Sequence, residues 1–211
     1  MTEYSTLWAG VLPEPVAAGL LVRWREPHRR YHGLRHLADG MAALDRLGGG
    51  RLERVAFWFH DAVHTGSSPA DEGASAELAR RLLADAMSAS EVEEVCRLVL
   101  ITAAHDPEPG DRAGGRVADA DLHPLGSSWE SYAANLAAIR VELPGLTEGE
   151  WAERRRAFIA RLLGRDRVFA TGLARDLWEE QARRNLEREA ALLVPTAPPV
   201  TTRREAGTAS A

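Results

Sequence analysis

Apolar residues recur along this chain at steps of three and four, and strand-like alternation is almost absent. That period puts them on one face of a helix. Tyr31, Leu34, Leu37, Met41, Leu44 and Leu47 predict a helix over 28–47, and Gly48-Gly49-Gly50 ends it by removing side chains and favouring a turn. A helix over 14–25 carries Pro13 and Pro15 near its first turn, where proline is tolerated. Residues 52–63 read as a short helix whose run Val55-Ala56-Phe57-Trp58-Phe59 demands burial on nearly every side. Helices over 74–87 and 91–104 follow a polar loop at 66–73, with Ser90 and Glu93 spaced as a capping box for the second. A loop rich in Gly, Pro and Asp over 107–116 leads to a return segment at 117–125, then to helices over 128–141, 148–163 and 174–193. The pattern predicts an all-α irregular helical bundle, with one domain over 1–194. Residues 195–211, with three prolines and no apolar period, are expected to be a flexible tail.

A length of 211 residues suits one substantial core, and an apolar fraction of 45% with 27% charged residues is that of a globular protein. No apolar run approaches the roughly 18 residues of a membrane span, and no basic region followed by an apolar stretch marks a signal peptide, so a cytoplasmic protein is expected. Twenty-six basic against thirty-one acidic side chains give a net charge of -5, which argues against broad adhesion to nucleic acid but leaves small anionic substrates open. Cys96 is the only cysteine, set among helix-forming residues, and reads as a packing residue. The tryptophans, at helical spacings among Leu and Ala, read mainly as packing residues, and the later helices that carry them offer a face for a possible homodimer.

The chemistry concentrates where the apolar run over 55–59 ends in His60-Asp61. A carboxylate beside Trp58 and Phe59 needs a partner or an ion, because a buried unpaired charge is costly. An imidazole and a carboxylate hold a divalent ion when further donors arrive from other helices; candidates are His32, His36, His105, Asp119 and Asp121. An isolated buried histidine is more often a hydrogen-bonded packing residue, but six of the seven histidines fall between His28 and His105, mostly near helix ends. On a single helix over 28–47, His32 and His36 would project from similar faces.

The order of His36, then His60-Asp61, then a distant Asp resembles the HD-domain metal-dependent phosphohydrolases, and more narrowly a bacterial branch of predicted HD hydrolases. The matching pieces are Tyr31-His32 with His36, the run 57–63, Glu72 to Ala76, Asp119-Ala120-Asp121-Leu122, Tyr132, Ile139-Arg140 and residues 182–186, spanning about 7–193. The resemblance implies His36, His60, Asp61 and Asp121 as metal ligands, with Asp119 as the alternative to Asp121 and the losing Asp a cap or supporting partner. His64 stands where the branch commonly has an aromatic residue and is not counted as a ligand, and Gly73 departs from a usually charged stretch.

A His2Asp2 set leaves positions for water and phosphate oxygens and, with two imidazoles, favours a transition metal (Mn, Fe, Co, Ni or Zn) over Mg. One ion is expected, and an additional histidine such as His105 leaves a second ion possible. Asp61, Glu72 and His105 are the candidate catalytic groups, Glu72 positioning water or moving a proton in preference to Asp71. Arg29, Arg30, Arg35 and Arg140, with His32, are candidates for substrate phosphate, Arg140 leading. The expected function is hydrolysis of a nucleotide or another small phosphomonoester or pyrophosphate. The alternative is a non-enzymatic metal-containing binding or scaffold protein, which predicts an enclosed metal site without a polar pocket. Enzymes of guanosine tetraphosphate and of cyclic dinucleotides are disfavoured, because the Glu-Asp and Gly-Tyr-Pro additions typical of them are missing.

Overall fold

The computed structural model describes residues 10–193. Leu7, Trp8 and the tail expected at 195–211 lie outside the described residues. Within them all regular structure is helical, an irregular bundle without strands. Its elements are α1 (Glu14–Trp24), α2 (Leu34–Arg46), α3 (Arg51–Phe59), α4 (Ala70–Leu83), α5 (Ala89–Ile101), α6 (Arg112–Leu122), α7 (Trp129–Glu142), α8 (Glu148–Leu163), α9 (Gly172–Ala174) and α10 (Glu180–Leu192). A 3-10 turn, His123–Gly126, follows α6, and a π turn, Arg175–Glu179, joins α9 to α10.

Helix α3 is the centre, with α2, α5 and α6 packed around it. Val55, Ala56, Phe57, Trp58 and Phe59 expose no surface, and burial of each large side chain is worth about 1.5–3 kcal/mol. Helix α2 can lie this close because it carries Gly40 where a Cβ would stand 2.0 Å from the Phe57 ring. That close approach sets His36 opposite His60. Cys96 is buried and bonds the Ala76 carbonyl, a packing role.

Several element boundaries differ from the sequence reading: α3 ends at Phe59, before the expected 63, and α4 runs Ala70–Leu83, starting inside the expected polar loop and stopping short of 87. Helix α2 begins at Leu34, so His32 lies in the preceding turn and not on a shared helix with His36. The backbone N–H groups of Arg30, Tyr31 and His32 all donate to Glu142 Oε1, which satisfies them without a helix. The capping box of α5 is Ser88 with Glu91, two residues earlier than expected. That frame places Met87 before the cap and Val92 at the fourth helical position, both in the core, while Glu93 pairs with Arg80. Helix α6 starts at Arg112, inside the expected loop, capped by the Asp111 carboxylate on Gly114 N–H. A side chain at Gly114 would strike that carboxylate and Ile101, so the glycine there serves packing.

Candidate metal centre

Residues from α2 and from the ends of α3 and α6 converge. His36 projects from the first turn of α2, His60 and Asp61 directly follow α3, and Asp121 is the last residue but one of α6. His36 Nε2 lies 3.1 Å from His60 Nε2, 3.0 Å from Asp121 Oδ1 and 3.7 Å from Asp61 Oδ2. His60 Nε2 lies 3.1 Å from Asp61 Oδ2 and 3.5 Å from Asp121 Oδ1. Donors bound to one ion at about 2.0–2.2 Å stand about 3 Å apart when adjacent. His36, His60 and Asp121 have that spacing and can coordinate a metal, and Asp61 Oδ2 lies beside them, 3.1 Å from His60 Nε2.

The donors present also fit a cation chemically. His60 Nδ1 is 2.8 Å from the Phe57 carbonyl, which can only accept, so Nδ1 carries a proton and Nε2 is the nitrogen that faces the cluster, able to bind an ion once its own proton is displaced. Asp61 Oδ2 and His36 Nδ1 are buried without a hydrogen-bond partner. Of these two atoms only Asp61 Oδ2 faces the cluster, where a cation would satisfy it. Burial pushes the Asp61 and Asp121 carboxyls up, yet the imidazole of His60 outweighs it and both are held below the usual carboxylate range. Burial lowers His60, but Asp61 and Asp121 together raise it well above an ordinary histidine.

The surroundings hold these groups in place. Trp24 Nε1 donates to the Trp58 carbonyl at 3.1 Å. Arg29 donates to the carbonyls of His32 and Asp61 at 3.0 and 2.7 Å, and its Nε to Glu26 at 3.0 Å. His105 Nε2 lies 2.7 Å from Asp121 Oδ2, which leaves Oδ1 to face the two histidines. His105 itself has φ of 51°, a left-handed conformation uncommon for a residue with a side chain.

Asp119 belongs elsewhere. Its carboxylate accepts from Ala170 and Thr171 N–H, both at 2.7 Å, and ties α6 to the start of α9. The structure thereby separates the two alternatives and puts Asp121 in the cluster.

A cavity of about 460 Å³ opens beside the cluster, lined by His32, Glu72, His105 and Asp121 among others. Glu72, in the first turn of α4, presents a buried Oε2 with no hydrogen-bond partner. The arginines expected at phosphate are placed otherwise. Arg29 is enclosed among the carbonyls named above, Arg30 is exposed, and Arg35 is exposed and paired with Asp39. Arg140 donates to the Leu143 and Leu146 carbonyls and to Glu148, closing the turn after α7. None of the four lines the cavity, whereas Arg154 and Arg161 do.

Two residues on the cavity wall were not anticipated as donors. Glu142 and His64 join His32 in a second group able to chelate a divalent ion. Glu142 had a legible signal: it is the last residue of α7, and a carboxylate at a helix C-terminus opposes the helix dipole. An acid kept there needs a compensating partner, and its partners are the three N–H groups before α2. Burial raises the Glu142 carboxyl, but the hydrogen bonds from His32 and His64 outweigh it and hold it far below the usual range. Among the described residues no helix is long and apolar enough to cross a membrane. Comparison of the chain with family models, with curated proteins and with solved structures returned no match.

Proposed function

We propose that this protein is a metal-dependent phosphohydrolase of the HD type, acting on a nucleotide or another small phosphomonoester or pyrophosphate. The observation that carries the reading is the set of four donor atoms from His36, His60, Asp61 and Asp121, with neighbours 3.0–3.7 Å apart, beside a cavity of about 460 Å³. A divalent ion held there lowers the pKa of a coordinated water and neutralises charge on a phosphoryl oxygen. Two imidazoles with two carboxylates favour Mn, Fe, Co, Ni or Zn over Mg.

The chain's own groups supply the rest. His105 holds Asp121 through Oδ2 and so orients the carboxylate. Glu72, with its unpartnered oxygen on the cavity wall, accepts a proton from water or positions it. Arg154 and Arg161 line the same cavity, where they donate to the Gly66 and Ala104 carbonyls, and are the candidates we name for a substrate's phosphate. A scaffold protein would need an enclosed site. The cavity bounded by Asp121, His105 and Glu72 supports the enzyme instead.

The test is a metal-supplemented screen against nucleoside mono-, di- and triphosphates and simple phosphate esters, run beside a His60→Ala/Asp61→Ala variant. Release of phosphate by the wild type and not by the variant is expected. Equal rates from both across the panel would remove the reading.

A further inference from the structure

We propose that His32, His64 and Glu142 form a second resident metal site, which takes a divalent transition ion independently of the His36 cluster and opens on the same cavity. The inference goes beyond the proposed hydrolysis and does not depend on it. The three residues come from three separate places: the turn before α2, the segment after α3, and the last position of α7.

The carboxylate is rigid. Glu142 Oε1 accepts from the backbone N–H groups of Arg30, Tyr31 and His32 at 2.5, 2.7 and 3.0 Å, and only 1% of the side chain is exposed. Its other oxygen therefore points one way, toward the imidazoles. His32 Nδ1 lies 2.5 Å from Oε2 and His64 Nε2 lies 3.4 Å from it. The ligand atoms of all three lie within 4.8 Å of one another. An ion with bonds of about 2.0–2.2 Å needs its donors within roughly that sphere.

Each imidazole can reach Glu142 Oε2 singly, but both converge on that one oxygen, as ligands of a shared ion do. His64 is brought over His32 with ring centroids 4.2 Å apart, and its carbonyl is met by His28 Nε2 at 3.1 Å. Nearby, Asp71 is fully engaged by Thr65 and Ser67 and does not compete for His64. Two imidazoles and one carboxylate, with room for water on the cavity side, make the three-ligand set that leaves an open coordination position. His105 is a poorer candidate for a second ion, because it joins neither group of converging donor atoms among the described residues.

The experiment counts ions on the full chain. Protein stripped with chelator is titrated with Zn²⁺ and with Co²⁺, and bound metal is read by elemental analysis, calorimetry and the visible absorption of Co²⁺. The wild type is expected to take two equivalents, the His60→Ala/Asp61→Ala variant one, His64→Phe one, and the triple variant none. His64→Phe keeps a ring of similar size and leaves Glu142 on its three N–H groups, so circular dichroism should match the wild type. A His60→Ala/Asp61→Ala protein that takes none, or a His64→Phe protein that takes as many equivalents as the wild type, overturns the proposal and reduces the cluster to a hydrogen-bonded tether. Hydrolysis is scored separately: two equivalents without phosphate release would sink the phosphohydrolase reading and sustain the second site.

Discussion

Two of the buried polar clusters among the described residues are built on different rules. In the first, Arg155 donates to Glu189 through Nε at 2.7 Å and a terminal nitrogen at 2.9 Å, while the Tyr132 hydroxyl donates to the same carboxylate. Donors meet acceptors, and α7, α8 and α10 are locked together. In the second, the Nε2 atoms of His36 and His60 converge with the carboxylates of Asp61 and Asp121, and Asp61 Oδ2 has no hydrogen-bond partner. Burial is similar for His36, His60, Arg155 and Glu189, so burial of polar groups does not itself mark function. What marks the candidate metal centre is that imidazole nitrogens and a carboxylate oxygen converge from three elements at the spacing of ligands on one ion.

Breaking each cluster should therefore have different consequences. The largest effect is expected for Asp61→Asn, which removes a donor and a charge: hydrolysis should fall about a thousandfold, or about 4 kcal/mol of transition-state stabilisation. Metal content should fall with it, while the thermal midpoint of the metal-free protein holds or rises. Retained metal and activity in that variant would show that Asp61 is not a ligand. Glu189→Leu should do the reverse, costing about 3–5 kcal/mol of stability in denaturant melts because Arg155 is left as a buried unpaired charge. Its metal stoichiometry should be unchanged at low temperature.

Chelation sharpens the contrast further. Removing a metal present at a hundredfold excess over its dissociation constant should cost the wild type about 2.7 kcal/mol and leave the His60→Ala/Asp61→Ala protein nearly untouched at that site. A midpoint unmoved by chelator in the wild type would contradict a resident ion.

The smallest expected effect is in pH. In the metal-free protein His60 is raised above its unfolded value, so its contribution to stability is complete below pH about 6.5 and is lost as pH rises through the higher folded value. Asp61 and Asp121 are depressed, so theirs is present above the ordinary carboxylate range and lost only as pH falls through their lower folded values. A metal ion must displace the His60 proton, and its affinity should rise by up to about tenfold per pH unit over that interval. Calorimetric titrations at pH 6, 7 and 8 check the slope.

Much of the fold was legible because its signals are local. The run 55–59 announced a helix buried on all sides, and α8 was read at its observed bounds of Glu148–Leu163. The sites that were misread share a cause. Nothing near His32 in sequence shows that its backbone would be held by Glu142, 110 residues away, and so end the helix early. Arg140 looked like a phosphate ligand because an arginine's partners cannot be read from its neighbours, and here they are the carbonyls of its own turn. Asp121, preferred on the resemblance, does lie in the cluster; what occupies Asp119 instead is the pair of Ala170 and Thr171 N–H groups, about fifty residues further on.

The sequence by itself determined that the chain is helical, that α3 lies at its centre, and that a histidine and a carboxylate stand at the end of that helix. Each of these follows from periodicity and from the cost of burying charge, which act over a few residues. Only the tertiary structure decided which donors meet. His36, His60, Asp61 and Asp121 come together because Gly40 lets α2 approach Phe57 and because α6 packs on both helices. The joining of His32, His64 and Glu142 required the end of α7 to reach the turn before α2. Distances of 3 Å between residues a hundred positions apart are properties of packing, and no local pattern encodes them.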